Sequence, residues 1–147
     1  MAPEDLSQVS IKHPAPHRHR VSLAALFFGL AAAPAAWNAQ LLISAALSAH
    51  ACYPRDVPLA LPIWSGLWWI LLAIGAAGMA LAIAGGLVSW RSWRLTFEEA
   101  PGSAHHLLDL GEGRTRFLAM FGVLASFLFA LALLFATAAV FVVPLCR

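Results

Sequence analysis

Three long uncharged blocks divide the chain. No Lys, Arg, Asp or Glu falls between Val21 and Pro54, between Val57 and Trp90, or between Phe117 and Cys146. Crossing the hydrocarbon of a bilayer takes about 20 apolar residues, and each block exceeds that. Hydrocarbon offers no water to backbone N–H and C=O groups, so a lone segment must close its hydrogen bonds as a helix, whereas short strands would need a full barrel. The pattern therefore predicts an all-α membrane protein with three transmembrane helices, near residues 21–49, 63–90 and 117–143. At about 1.5 Å per residue each reaches roughly 40 Å, enough to tilt or to project into the headgroups.

Composition agrees with this pattern and adds the domain plan. The 147 residues are 61% hydrophobic and only 11% charged, against roughly 25% charged in a soluble domain. Residues 1–20 form a polar tail and residues 21–147 a single three-helix domain with an inner loop at 91–116. The first apolar block has a rival reading as a cleaved signal peptide, since Lys12, Arg18 and Arg20 precede it and "AAAPAAW" offers small residues. Its apolar character continues to Ala49, so a retained helix is the expectation.

Basic residues set the expected orientation. Lys12, Arg18 and Arg20 precede the first helix, and Arg91, Arg94, Arg114 and Arg116 lie between the second and third, whereas Arg55 and Arg147 stand alone on the other side. Lys and Arg near helix ends remain in the cytoplasm, so the N-terminus is expected inside and the C-terminus outside. Cys52 and Cys146 then share the outer, oxidising face, each just beyond a helix end, and a disulfide between them is the leading expectation. Two unrelated buried thiols, or a redox or metal pair, remain open alternatives.

Within the helices the polar side chains are amides and hydroxyls. Trp37, Gln40, Ser44 and Ser48 recur at helical spacing on one face, while Asn38 points about 200° away from Gln40. Amides in hydrocarbon need partners across helices, either on this chain or on another protein. Pro34 removes a backbone hydrogen bond and predicts a kink near Leu30. The second helix opens with Trp64, Trp68 and Trp69 and closes with Trp90 and Trp93, as interfacial belts do. Between them Ala73 and Ala77, Gly78 and Ala82, and Ala82 and Gly86 stand four apart, a seam another backbone can approach closely. Together with Trp37, Asn38, Gln40, Ser44 and Ser48, these residues form the expected partner interface. Arg91, Arg94, Arg114 and Arg116 are expected to anchor to headgroups or to a partner's carboxylates.

Little else carries chemistry. His50 lies two residues before Cys52, and His105 and His106 lie in the inner loop near Glu98 and Glu99. These are the candidate metal ligands, although His and Cys two apart lack a third donor and adjacent histidines do not share a helix face; no bound metal is expected. Gly111 and Gly113 follow no strand and so make no phosphate-cradling loop. No basic cluster of nucleic-acid-binding size is present. The apolar blocks hold no nucleophile–base pair, catalytic lysine or carboxylate, and the expectation is a protein that is not an enzyme.

The segments "GLAAAPAAWNAQLLISAALSAHACYP" and "DLGEGRTRFLAMFGV" resemble those of small uncharacterised bacterial membrane proteins encoded beside haem-copper (cytochrome c oxidase-type) terminal oxidases. Pro34, Trp37, Gln40, Cys52, Gly113, Arg114, Arg116 and Phe117 carry the likeness. The resemblance implies a non-catalytic accessory subunit of a respiratory complex in the bacterial inner membrane, a cytochrome oxidase or a supercomplex. Its partners would be integral membrane subunits and lipid, with haem and copper held by those other subunits. Assembly or metal delivery through an outer His/Cys site, or a self-associating structural protein, are the competing expectations.

Overall fold

The computed structural model describes residues 21–55, 57–96, 114–144 and 146. The N-terminal tail and the inner-loop histidines His105 and His106 lie outside the described residues. Among the described residues three α-helices form: α1 (Leu23–Cys52), α2 (Leu67–Leu95) and α3 (Arg114–Val142). All three are long and apolar enough to cross a membrane, which makes this an all-α, multi-pass membrane protein. Every pair of helices is in contact, so the bundle is a closed triangle in cross-section.

The helix ends differ from the expected ones for local reasons. Ser22 caps α1, its hydroxyl accepting from the Ala25 N–H at 3.1 Å, which satisfies one orphan donor of the first turn. At its other end α1 runs to Cys52, because the connection that follows supplies donors to its last carbonyls. The Leu59 N–H donates to Cys52 O at 2.9 Å and the Ile63 N–H to Ala51 O at 3.1 Å. α2 starts after Gly66, later than expected, because Trp64 to Gly66 form a turn closed by the Leu67 N–H on Trp64 O. It continues to Leu95, where the Thr96 hydroxyl folds back onto the carbonyls of Ser92 and Trp93. As a result Arg91, Arg94, Arg114 and Arg116 belong to helix ends rather than to a loop. Pro34 sits inside α1, which runs through it without interruption.

Contacts fix the relative directions. Gly29 near the start of α1, Ser89 near the end of α2 and Gly122 near the start of α3 meet in one layer. At the opposite end Cys52 and Cys146 meet, so the helices run up, down and up. Two apolar clusters occupy the levels between. Ala33, Ala82 and Leu133 pack with Trp37, Met79, Phe129 and Ala130, and Ala51, Leu67 and Leu71 pack with Leu47 and Val140 nearer the disulfide. Outward-facing Leu42, Trp69 and Phe135 are 72%, 70% and 71% exposed, which places them against lipid rather than water.

Small residues let the three backbones approach. A Cβ at Gly29 would collide with Ser89 Oγ, and one at Gly122 would collide with the same atom. The α2 seam is Leu67, Leu71, Gly75, Gly78, Ala82, Gly85, Ser89 and Ser92, in steps that alternate three and four from Gly75 onward. That alternation holds one face of a helix, whereas repeated steps of four drift by about 40° each. Of the expected seam, Gly78 and Ala82 are buried, Gly86 is half-buried with a Cβ position 3.3 Å from Ser126 Cβ, and Ala73 and Ala77 face outward.

Candidate functional site

The main polar feature lies on α1 and follows from the same drift. Gln40 faces the bundle interior, and Ser44 and Ser48, at successive steps of four, turn progressively toward its edge. Gln40 is 4% exposed, while both serines are half-buried. Gln40 Nε2 donates to Thr137 Oγ1 at 3.2 Å, and the Thr137 hydroxyl donates to Leu133 O at 2.8 Å. A short relay thus joins α1 to α3. Gly75 and Gly78 of α2 make room for it: a Cβ at Gly75 would collide with Thr137 Oγ1, and one at Gly78 would stand 3.6 Å from Gln40 Oε1.

The relay is incomplete, because Gln40 Oε1 is buried with no hydrogen-bond partner among the described residues. Nor does any side-chain hydrogen bond join Ser44 or Ser48 to another described residue. An unmade hydrogen bond at a buried amide oxygen costs about 1–3 kcal/mol. These three residues line one wall of a groove of about 500 Å³ between α1 and α3. Leu41 and Ala45 of α1, Ala136, Ala139 and Val140 of α3 and Val143 just beyond it line the rest, Leu71 of α2 forms part of it, and Tyr53, Pro144 and Cys146 line the end at the disulfide.

The disulfide defines that end. Cys52 and Cys146 are bonded, with Cα atoms 5.3 Å apart, inside the range such bridges need. Cys52 is 2% exposed. The bridge ties the segment after α3 to the last turn of α1. Beside it Trp68 packs edge-on against Phe141 at 5.1 Å and against Trp69 at 4.7 Å. Trp90 and Trp93 mark the other end of α2, their rings 5.2 Å apart. From Trp68 to Trp90 an α-helix rises about 33 Å, close to the ~30 Å hydrocarbon thickness.

The remaining site candidates disperse. Trp37 packs on Phe129 of α3 at 5.5 Å and belongs to the central cluster. Asn38 is exposed, but its Nδ2 donates to Pro34 O at 2.9 Å, so that amide is engaged on its own helix. Gln40, Gly78 and Ala82 lie inside the chain's own bundle, while Ser44, Ser48, Ala73 and Ala77 remain at its surface. Arg91 and Arg94 are exposed at the end of α2, and Arg116 is half-buried near the start of α3. His50 is exposed in the last turn of α1. Among the described residues no three of His, Cys, Asp and Glu are grouped as metal ligands, and both sulfurs are joined to each other.

Sequence reasoning overlooked the α3 side of this architecture. Thr115, Ser126 and Thr137 are eleven apart, about three helical turns, so they share a face. Ser126 reaches Gly29 O at a long 3.5 Å, and Thr137 holds Gln40. That repeat, within a helix otherwise filled by Leu, Ala and Phe, was the available signal. Set beside known proteins, the chain matches no family model, no curated protein and no solved structure.

Proposed function

We propose that this chain is a non-catalytic accessory subunit of a larger membrane complex, with its N-terminus in the cytoplasm and its C-terminus outside. The observation that carries this reading is the unfinished polar wall of α1. Gln40 Oε1 is buried without a partner, and the serines one and two turns farther along open onto a groove. A chain complete in itself would satisfy these groups internally, since hydrocarbon supplies no substitute. Ser89, Ser126 and Thr137 sit at helix contacts and serve the bundle's cohesion, and the Asn38 amide is engaged on its own helix. The resemblance in α1 and at the start of α3 directs the proposal to a respiratory complex of the bacterial inner membrane, a cytochrome oxidase or supercomplex whose other subunits hold haem and copper. Arg91, Arg94, Arg114 and Arg116, near the ends of α2 and α3, fit anchoring to anionic headgroups on the cytoplasmic side.

Metal delivery through an outer thiol fits less well, because bridged sulfurs offer no thiolate ligand. Gln40→Leu tests the subunit reading. It removes the bond to Thr137 together with the unpartnered oxygen, so the isolated chain's stability should change by less than about 1 kcal/mol. Recovery of the complex with a tagged chain should nevertheless fall. An undiminished complex would contradict the assignment.

A further inference from the structure

Resting on the subunit reading, we infer that the groove between α1 and α3 seats a single transmembrane helix of the partner, a fourth helix with hydrogen-bonding side chains on its contact face. Three features select this occupant. The polar groups along the wall, Gln40, Ser44 and Ser48, are spaced four apart, which on a helix is about 6 Å per step. A helix with Ser, Thr, Asn or Gln at a matching interval can meet the hydroxyls of Ser44 and Ser48. Gln40 lines the base of the groove, but its unpartnered Oε1 is enclosed on the side of Gly78 of α2, so the groups left for a fourth helix to meet are the half-buried hydroxyls of Ser44 and Ser48. The flanking residues Ala45, Ala136 and Ala139 are small, and small residues are what allow a helix backbone close approach in lipid.

An acyl chain would fill the same space but offer the Ser44 and Ser48 hydroxyls no partner, at the cost that hydrogen-bond-free burial carries. The disulfide and Pro144 close the outer end, so the occupant enters sideways from the bilayer. Cys52 stands twelve residues from Gln40, which puts Gln40 about 18 Å below the bridge, near the bilayer centre. The contact therefore covers one leaflet's depth.

Photo-crosslinking in cells reads this directly. A benzophenone amino acid is placed at Ala45 or Ala139, both exposed on the groove rim, and for comparison at Leu42 on the opposite face of α1 or at Ala77 on the outer face of α2. The expected result is that both rim positions capture the same transmembrane segment of one other subunit. That segment carries a hydrogen-bonding residue at groove depth, and Leu42 does not capture it. Ser44→Leu with Ser48→Leu should lower the rim adducts at least tenfold while leaving the melting temperature of the isolated chain unchanged. Rim adducts with lipid only, rim adducts with a second copy of this chain, or undiminished yield in the double variant would each overturn the inference. Partner adducts at Ala77 but not at the rim would overturn the groove while preserving the subunit reading; co-purification of no other subunit would remove both.

Discussion

Gly29 and Ser89 show how closely single residues are fitted at the end of the bundle away from the disulfide. A methyl at Gly29 meets Ser89 Oγ, and Ser89 also fills the place where a Gly122 side chain would stand. Gly29→Ala should therefore destabilise the chain by about 1–3 kcal/mol, the usual cost of overpacking. Ser89→Ala, by removing the clashing oxygen, should restore part of that loss in a double-mutant cycle measured by thermal unfolding in detergent. Additive losses would mean that the two side chains do not share this space. Gln40 was legible as an intramembrane amide needing a partner, whereas Thr137 as its acceptor was not, because one chain's periodicity places a residue on a face without naming the neighbour opposite. Asn38 is the converse case: its separate direction was correct in angle, yet the amide turned back to Pro34 O, an option open to any short polar side chain on a helix.

The helices as elements were readable because uncharged length is a coarse property, and their ends were not because capping is a fine one. α1 gains its last residues from the Leu59 and Ile63 amides, donors that lie beyond any apolar run. The small-residue seam of α2 was recognised in kind but placed by steps of four, which put Ala73 and Ala77 on the face; the alternating steps actually used bring Gly75, Gly85 and Ser89 inward instead. At the opposite end the bridge spans a sequence separation of 94, for which loop-entropy reasoning gives about 4–5 kcal/mol, an upper figure when the unfolded reference keeps its spans in the bilayer. Cys146→Ser should thus lower the unfolding temperature. In intact cells a membrane-impermeant thiol reagent should label the native chain only after reduction. Labelling without reduction would mean free outer thiols.

At the scale of the whole molecule, the proposed orientation rests on three spans and the uneven Lys and Arg distribution, which would put the groove's disulfide end outside. A C-terminal reporter enzyme active only beyond the cytoplasm should be active, and an inactive reporter with full expression would reverse the orientation. Because α1 and α3 run in the same direction, both walls of the groove present the same depth to an incoming helix, and the disulfide holds them in register. The oxidase assignment comes from the resemblance of two segments, while the need for some partner comes from Gln40 and the serines beside it. Extraction of a tagged chain in mild detergent, followed by subunit identification and a haem absorption spectrum of the same fraction, tests both together. The account predicts co-migration with oxidase subunits in fixed proportion and a haem signal that follows the tag. A chain that migrates alone or only with copies of itself, free of haem, would contradict it.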